Sequence, residues 1–254
     1  MRLTLLQRQG QANANEFAHA LENELASLKG TLSASVGLQG FSKRGWAIID
    51  VKGDDYEIVA ELIARKLGLT HTDFSSIELF GNYDGILSEV TAKDLGVDVG
   101  LEAPRPQTIR VNLGTLRAQL CDGKNLSMKE LTENYCLIPN TKVTVRITLL
   151  HPESEIEGWL ADSQLALLSN WISMRLDRIL VFNCSRREVD LAIKKANIER
   201  DTISVEHLTL TTHSVLCKLG TDAVGLMPKL GAVLRNRELK PFIPARIASR
   251  CRPW

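Results

Sequence analysis

With 254 residues, 44% hydrophobic and 24% charged, the chain can hold two or three small domains and has the make-up of an ordinary soluble globular protein. It has no apolar run near the ~20 residues that span a bilayer, and Met1 to Gly10 lack the apolar core and small-residue cleavage site of a signal peptide. Formal charge is +1, yet residues 1–78 carry −2, 79–151 balance, 152–177 carry −4 and 178–254 carry +7, so the last third is the part that can meet a polyanion.

In chain order, the pattern predicts a strand over Leu3–Leu6 and then a helix over Asn15–Leu28. Phe17, Leu21, Leu25 and Leu28 share one face of that helix, Asn13 or Asn15 caps it, and Gly30 stops it. A strand over Ala34–Leu38, a turn over Gly40–Gly45, a strand over Trp46–Val51 and a helix over Asp54–Leu67 follow. Tyr83–Val90 and Leu95–Leu101 read as neighbouring strands, the second with Leu95, Val97, Val99 and Leu101 inward and Gly96, Asp98 and Gly100 outward. Thr108–Leu113 is a further strand and Asp122-Gly123 a turn. Ser127 and Glu130 form a capping box that opens a short helix through Leu137. Lys142–Leu149 is the last strand of this series. His151–Glu155 reads as a linker and Ile156–Leu176 as helical, broken near Asp162. Then come a strand over Arg178–Phe182, a helix capped by Asn183 or Ser185 and running to Ala196, strands over Ile203–Leu210 and Ser214–Leu219, and a helix over Thr221–Leu234.

A strand, a Gly-x-Asp break and a helix therefore occur twice, at Gly53-Asp54-Asp55 and Gly220-Thr221-Asp222, 167 residues apart. Each sits within a β-α-β-β-α order. The expected fold class is α+β, with two ferredoxin-like β-α-β-β-α units flanking a small OB-type β-barrel. The expected domains are an N-terminal α+β unit over 1–78, the barrel over 79–151, an acidic helical linker over 152–177, and a C-terminal α+β unit with a basic tail over 178–254.

Helix N-termini after glycine breaks can bind anions. Here both breaks carry aspartate and neither carries Gly-Lys-Ser/Thr, so capped turns are expected at both. His71 with Asp73, and His207 with His213, are the near pairs, too few ligands for a metal. The five cysteines (Cys121, Cys136, Cys184, Cys217, Cys251) lack zinc or redox spacing, which predicts free, mostly buried thiols in a reducing cytoplasm. Cys121, with Lys124 its only nearby cation, is weakly placed as a nucleophile. No catalytic residue, cofactor or metal is expected.

The functional expectation rests on the basic end. From Arg235 to Trp254 there are six basic residues, five of them Arg, and one acid, interleaved with Phe242 and Trp254. That mixture suits phosphate neutralisation with occasional stacking, and the bland alternative is a solvated tail. The candidate nucleic-acid contacts are Arg235, Arg237, Lys240, Arg246, Arg250 and Arg252 in this tail, with Arg186, Arg187, Lys194 and Lys195 on the neighbouring helix.

Gly85-Ile-Leu-Ser-Glu-Val90, Val97-Asp-Val-Gly100, Leu113-Gly-Thr-Leu116 and Val143-Thr-Val-Arg-Ile147 carry a resemblance over Gly81–Leu150. This segment resembles the OB-fold RNA-binding repeat named after the largest small-subunit ribosomal protein. Such repeats offer aromatic residues for base stacking, and Phe80, Tyr83 and Tyr135 are those available here. Through Leu113–Lys124 and Cys217–Asp222 the whole chain is similar to an archaeal protein family of unassigned function built around this barrel. That resemblance implies archaeal information processing and brings no catalytic residues. The expected function is thus a cytoplasmic, non-enzymatic accessory protein that binds RNA or a ribonucleoprotein machine, such as the ribosome or RNA polymerase, with no membrane partner. The alternative is a protein-interaction adaptor docking through acidic residues such as Glu153, Glu155 and Glu157, with the barrel as scaffold.

Overall fold

A computed structural model describes residues 1–9, 14–151 and 156–251. The first sheet holds β1 (Arg2–Arg8), β2 (Ala34–Phe41) and β3 (Trp46–Gly53) in the antiparallel order β1-β3-β2. One core joins its face to α1 (Ala14–Lys29) and α2 (Tyr56–Leu67), because Phe17, Leu21 and Leu25 recur at helical spacing and meet Val59, Ile63 and Leu67 over Leu5 and Ile49. Asn15 lies inside α1, while Asn13 lies outside the described residues. Gly53 has φ +121°, and a Cβ there would come within 2.4 Å of Ser33 O, so the break needs glycine. The helix after it starts at Tyr56 instead of Asp54. Asp55 makes no side-chain cap; its Oδ2 accepts the Ser33 N–H at 2.7 Å.

The centre is a closed barrel of β4 (Asn82–Val90), β5 (Asp94–Asp98), β6 (Ile109–Asn112), β7 (Lys142–Leu149) and β8 (Ile156–Leu160). Its order is β4-β5-β6-β8-β7, antiparallel except for the parallel β6–β8 pair. Two elements depart from expectation. Leu113–Cys121 is a helix, α3, capped by Asn112 Oδ1, which accepts the Thr115 N–H at 2.8 Å. Residues 156–160, expected as helix, form the strand that closes the barrel, with Ile156 and Leu160 inward and Trp159 outward. Gly158 makes this possible, since a Cβ there would meet Arg146 O at 2.8 Å. The helix α4 (Met128–Tyr135) carries the expected Ser127–Glu130 capping box.

Asp98, expected at the surface, is completely buried. It points out of the barrel into the β2–β3 hairpin, where Arg44 reaches it at 2.7 Å. Burial pushes its carboxyl up despite that cation.

After α5 (Asp162–Ser173) come β9 (Arg178–Phe182), α6 (Arg186–Lys195), β10 (Thr202–Thr209), β11 (Thr212–Cys217) and α7 (Ala223–Val233). The expected basic tail is folded: Leu239–Phe242 is β12 and Pro244–Arg250 is α8. The antiparallel sheet runs β10-β11-β9-β12. Alternation along β9 sends Ile179 and Val181 toward α6 and α7, and Leu180 and Phe182 into the barrel's core together with Phe242, Ile247 and Cys251. No helix among the described residues is long and apolar enough to cross a membrane.

Candidate nucleic-acid interface

The cations singled out by sequence do not converge. Arg186, Arg187, Lys194 and Lys195 ride on α6, which packs on one face of the second sheet; Arg246 and Arg250 ride on α8, which packs on the other through Ile247. Some are engaged internally. Arg186 Nε donates to both Asp190 oxygens at 3.0 Å, and its Nη1 donates to Val205 O on the edge strand β10. Arg237 is a clip between α1 and α6, 2.7 Å from Glu16 and 3.0 Å from Glu188. Burial alone would raise the Glu188 carboxyl, but the Ser185 bonds and Arg237 hold it below its ordinary value. Lys240 meets Glu238 at 3.4 Å. Arg187, Lys194, Lys195, Arg235, Arg246 and Arg250 are exposed, with no ion pair among the described residues. Arg252 and Trp254 lie outside the described residues.

The doubled glycine break is closed to anions at its second copy. Asp222 accepts the Val224 and Gly225 N–H groups at 3.2 and 3.0 Å, and Asp177 accepts that of Ala223 at 3.1 Å. The α7 N-terminus is filled by the protein's own carboxylates. Only this copy is capped by its aspartate.

A platform of aromatic and cationic groups forms instead on the outer wall of the barrel. Trp159 on β8 lies directly across from Arg146 on β7. The Arg146 guanidinium stands 5.9 Å from the centre of the Phe80 ring. Phe80 is 58% exposed and Trp159 51%. Phe80 is fixed at φ 65°, its N–H donating to Ile147 O at 2.9 Å while the Ile147 N–H donates to Gly81 O at 3.0 Å. Of the three aromatic residues available for stacking in this segment, Phe80 is exposed and the two tyrosines are not. Tyr83 is buried with its OH accepting the Glu78 N–H, and Tyr135 is buried with its OH donating to Leu120 O. Trp159 was hidden by the helical reading of its segment. The signal for it was the alternation of Ile156, Gly158 and Leu160.

Two concavities border the second sheet, one shared with the N-terminal unit and one with the barrel. A groove of about 1000 Å³ runs between α1 and α6, with Glu16 and Glu24 on one wall and Arg186, Arg187 and Lys194 on the other. A pocket of about 390 Å³ lies between β7, α5 and β10.

His71, His207 and His213 are engaged in packing, while His19 and His151 are exposed. His71 meets Tyr83 edge-on at 4.8 Å, and Asp73 accepts the Ser75 N–H at 2.8 Å. His213 Nε2–H donates to Cys184 O at 3.0 Å, and burial holds its imidazole down at about 4. Among the described residues no group of three or more His, Cys, Asp or Glu side chains could hold a metal ion. All five cysteines are free and buried, and burial pushes the Cys136 and Cys184 thiols up to about 12.

These elements define a mixed α+β protein organised on a closed five-stranded barrel with two further sheets. Compared with known families, residues 80–172, from just before β4 almost to the end of α5, match the DUF2110 central domain. Residues 176–240 match the DUF2110 C-terminal domain. The chain thus carries the central and C-terminal domains of the DUF2110 family. No curated protein matches it.

Proposed function

We propose that this protein is a non-enzymatic accessory factor that binds single-stranded RNA in an archaeal transcription or translation machine, holding the strand on the β4–β7–β8 wall. The exposed set Phe80–Arg146–Trp159 carries the proposal: two exposed aromatic side chains, with a guanidinium over one and in register with the other, offer stacking to bases and a cation to the backbone. The barrel order, with its single parallel pair, supports the OB-type reading, and the sheet orders β1-β3-β2 and β10-β11-β9-β12 support ferredoxin-like flanks. The unpaired cations on α6 and α8 extend a diffuse attraction rather than a second site.

Binding of fluorescein-labelled single-stranded RNA should weaken as salt rises. Trp159→Ala should weaken it further, by about 1–3 kcal/mol, without loss of stability, since half of that side chain is already in water. Equal affinity of wild type and Trp159→Ala would remove the platform from the account. The adaptor alternative rests on the acidic stretch 152–177, of which residues 156–177 are described. Glu153 and Glu155 lie outside the described residues, Glu157 sits on a barrel strand, and Asp177 is bound to the α7 N-terminus.

A further inference from the structure

The pocket between β7, α5 and β10 lies one step along the outer wall from the platform. Two rungs join β7 to α5: Arg146 faces Asp162 at 4.0 Å, and the Thr144 N–H donates to Gln164 Oε1 at 3.1 Å. Successive outward residues of a strand are about 6.6 Å apart, close to the reach of one nucleotide. The first rung belongs to the platform and the second to the pocket wall.

Gln164 is the informative residue. It is 6% exposed, and the Thr144 bond fixes which end of its amide is oxygen. Its Nε2 donors, with no acceptor among the described residues, are therefore left to the cavity it lines. Beside it, Thr144 Oγ1 donates to Asp84 Oδ1 at 2.6 Å and Lys142 meets Asp84 Oδ2 at 2.8 Å. Each of those carboxylate oxygens keeps a second lone pair. The rest of the lining is mostly apolar, with Trp171, Leu168, Leu180 and the 40% exposed Leu167, and includes Glu206 and His207 of β10. At about 390 Å³ the cavity is in the small-ligand range. An amide donor next to a carboxylate acceptor complements a ring carbonyl beside a ring N–H.

We infer, on the footing of the RNA-binding proposal, that this pocket receives one unstacked base of the bound strand and selects a keto base, uracil or guanine. Gln164 Nε2 donates to its carbonyl oxygen and Asp84 accepts from the adjacent N–H. Adenine and cytosine present an amino group and a bare ring nitrogen on that edge, which leaves Gln164 facing a donor and Asp84 facing a lone pair.

The test is fluorescence anisotropy of labelled oligouridine and oligocytidine on the full chain. Wild type should prefer oligouridine by about tenfold, the value of one good pair of base contacts. Gln164→Glu keeps an oxygen for the Thr144 N–H while replacing the donor, and should abolish or invert the preference with oligocytidine affinity kept. Trp159→Ala should weaken both ligands alike. Tight but equal binding of the two by wild type would overturn the pocket while leaving the platform standing. A preference that survives Gln164→Glu would overturn it too. Failure to bind either oligomer at low salt would sink both proposals together.

Discussion

Phe242→Ala distinguishes a folded C-terminal segment from a solvated tail. Phe242 is 0% exposed and meets Trp171 edge-on, ring centres 5.3 Å apart. A buried aromatic side chain removes about 150–250 Å² from water, which is about 4–6 kcal/mol at the usual area coefficient. Alanine retains a part of this, and Phe→Ala changes in cores cost about 3–5 kcal/mol. The edge-on pair with Trp171 accounts for about 1 kcal/mol of that. Because β12 is an edge strand that can relax toward the gap, the expected loss sits at the lower end, about 3 kcal/mol. Urea unfolding followed by tryptophan fluorescence reads it, with Trp171 as a reporter in direct contact. Arg246→Ala, an exposed change on α8, serves as the control and should stay within about 0.5 kcal/mol of wild type. A Phe242→Ala midpoint equal to that of wild type would refute the packing of β12 and restore the solvated tail.

Two further outcomes follow from the same geometry. Arg237→Met should cost about 1–2 kcal/mol, because it leaves Glu16 and the half-buried Glu188 without their shared cation; hydrogen exchange should rise first along α1 and the start of α6. His213 gives an acid-side dependence. Its folded value of about 4 lies below the ordinary 6.5, so as pH falls the unfolded chain takes up the proton first. Its contribution is therefore fully present above pH 6.5 and is lost between there and pH 4, by about 3 kcal/mol in all. Unfolding midpoints measured across that window should fall in wild type and flatten in His213→Leu.

The sequence by itself determined what is local. The α1 face of Phe17, Leu21 and Leu25, the Ser127 capping box, and the strands Lys142–Leu149 and Arg178–Phe182 follow from periodicity and cap chemistry within a few residues, while the choice of Ser185 over Asn183 as the α6 cap is made by the fold. The repeated order of strands and helices was legible for the same reason. What only the tertiary structure decided depends on partners far along the chain. Residues 156–160 become a strand because β6 and β7 stand ready on either side, and that pairing turns Trp159 outward beside Arg146. The twin breaks look alike in sequence, yet Asp55 turns to Ser33 while Asp222 caps its own helix. The basic end reads as a tail because its charges are frequent and its apolar residues few. Phe242, Ile247 and Cys251 find one buried surface only once β9 has offered them the barrel side of its sheet. Charge counts along a chain say how much cation is present; side-chain alternation across β9 decided that it faces two ways, because a sheet has two sides and a sequence has none.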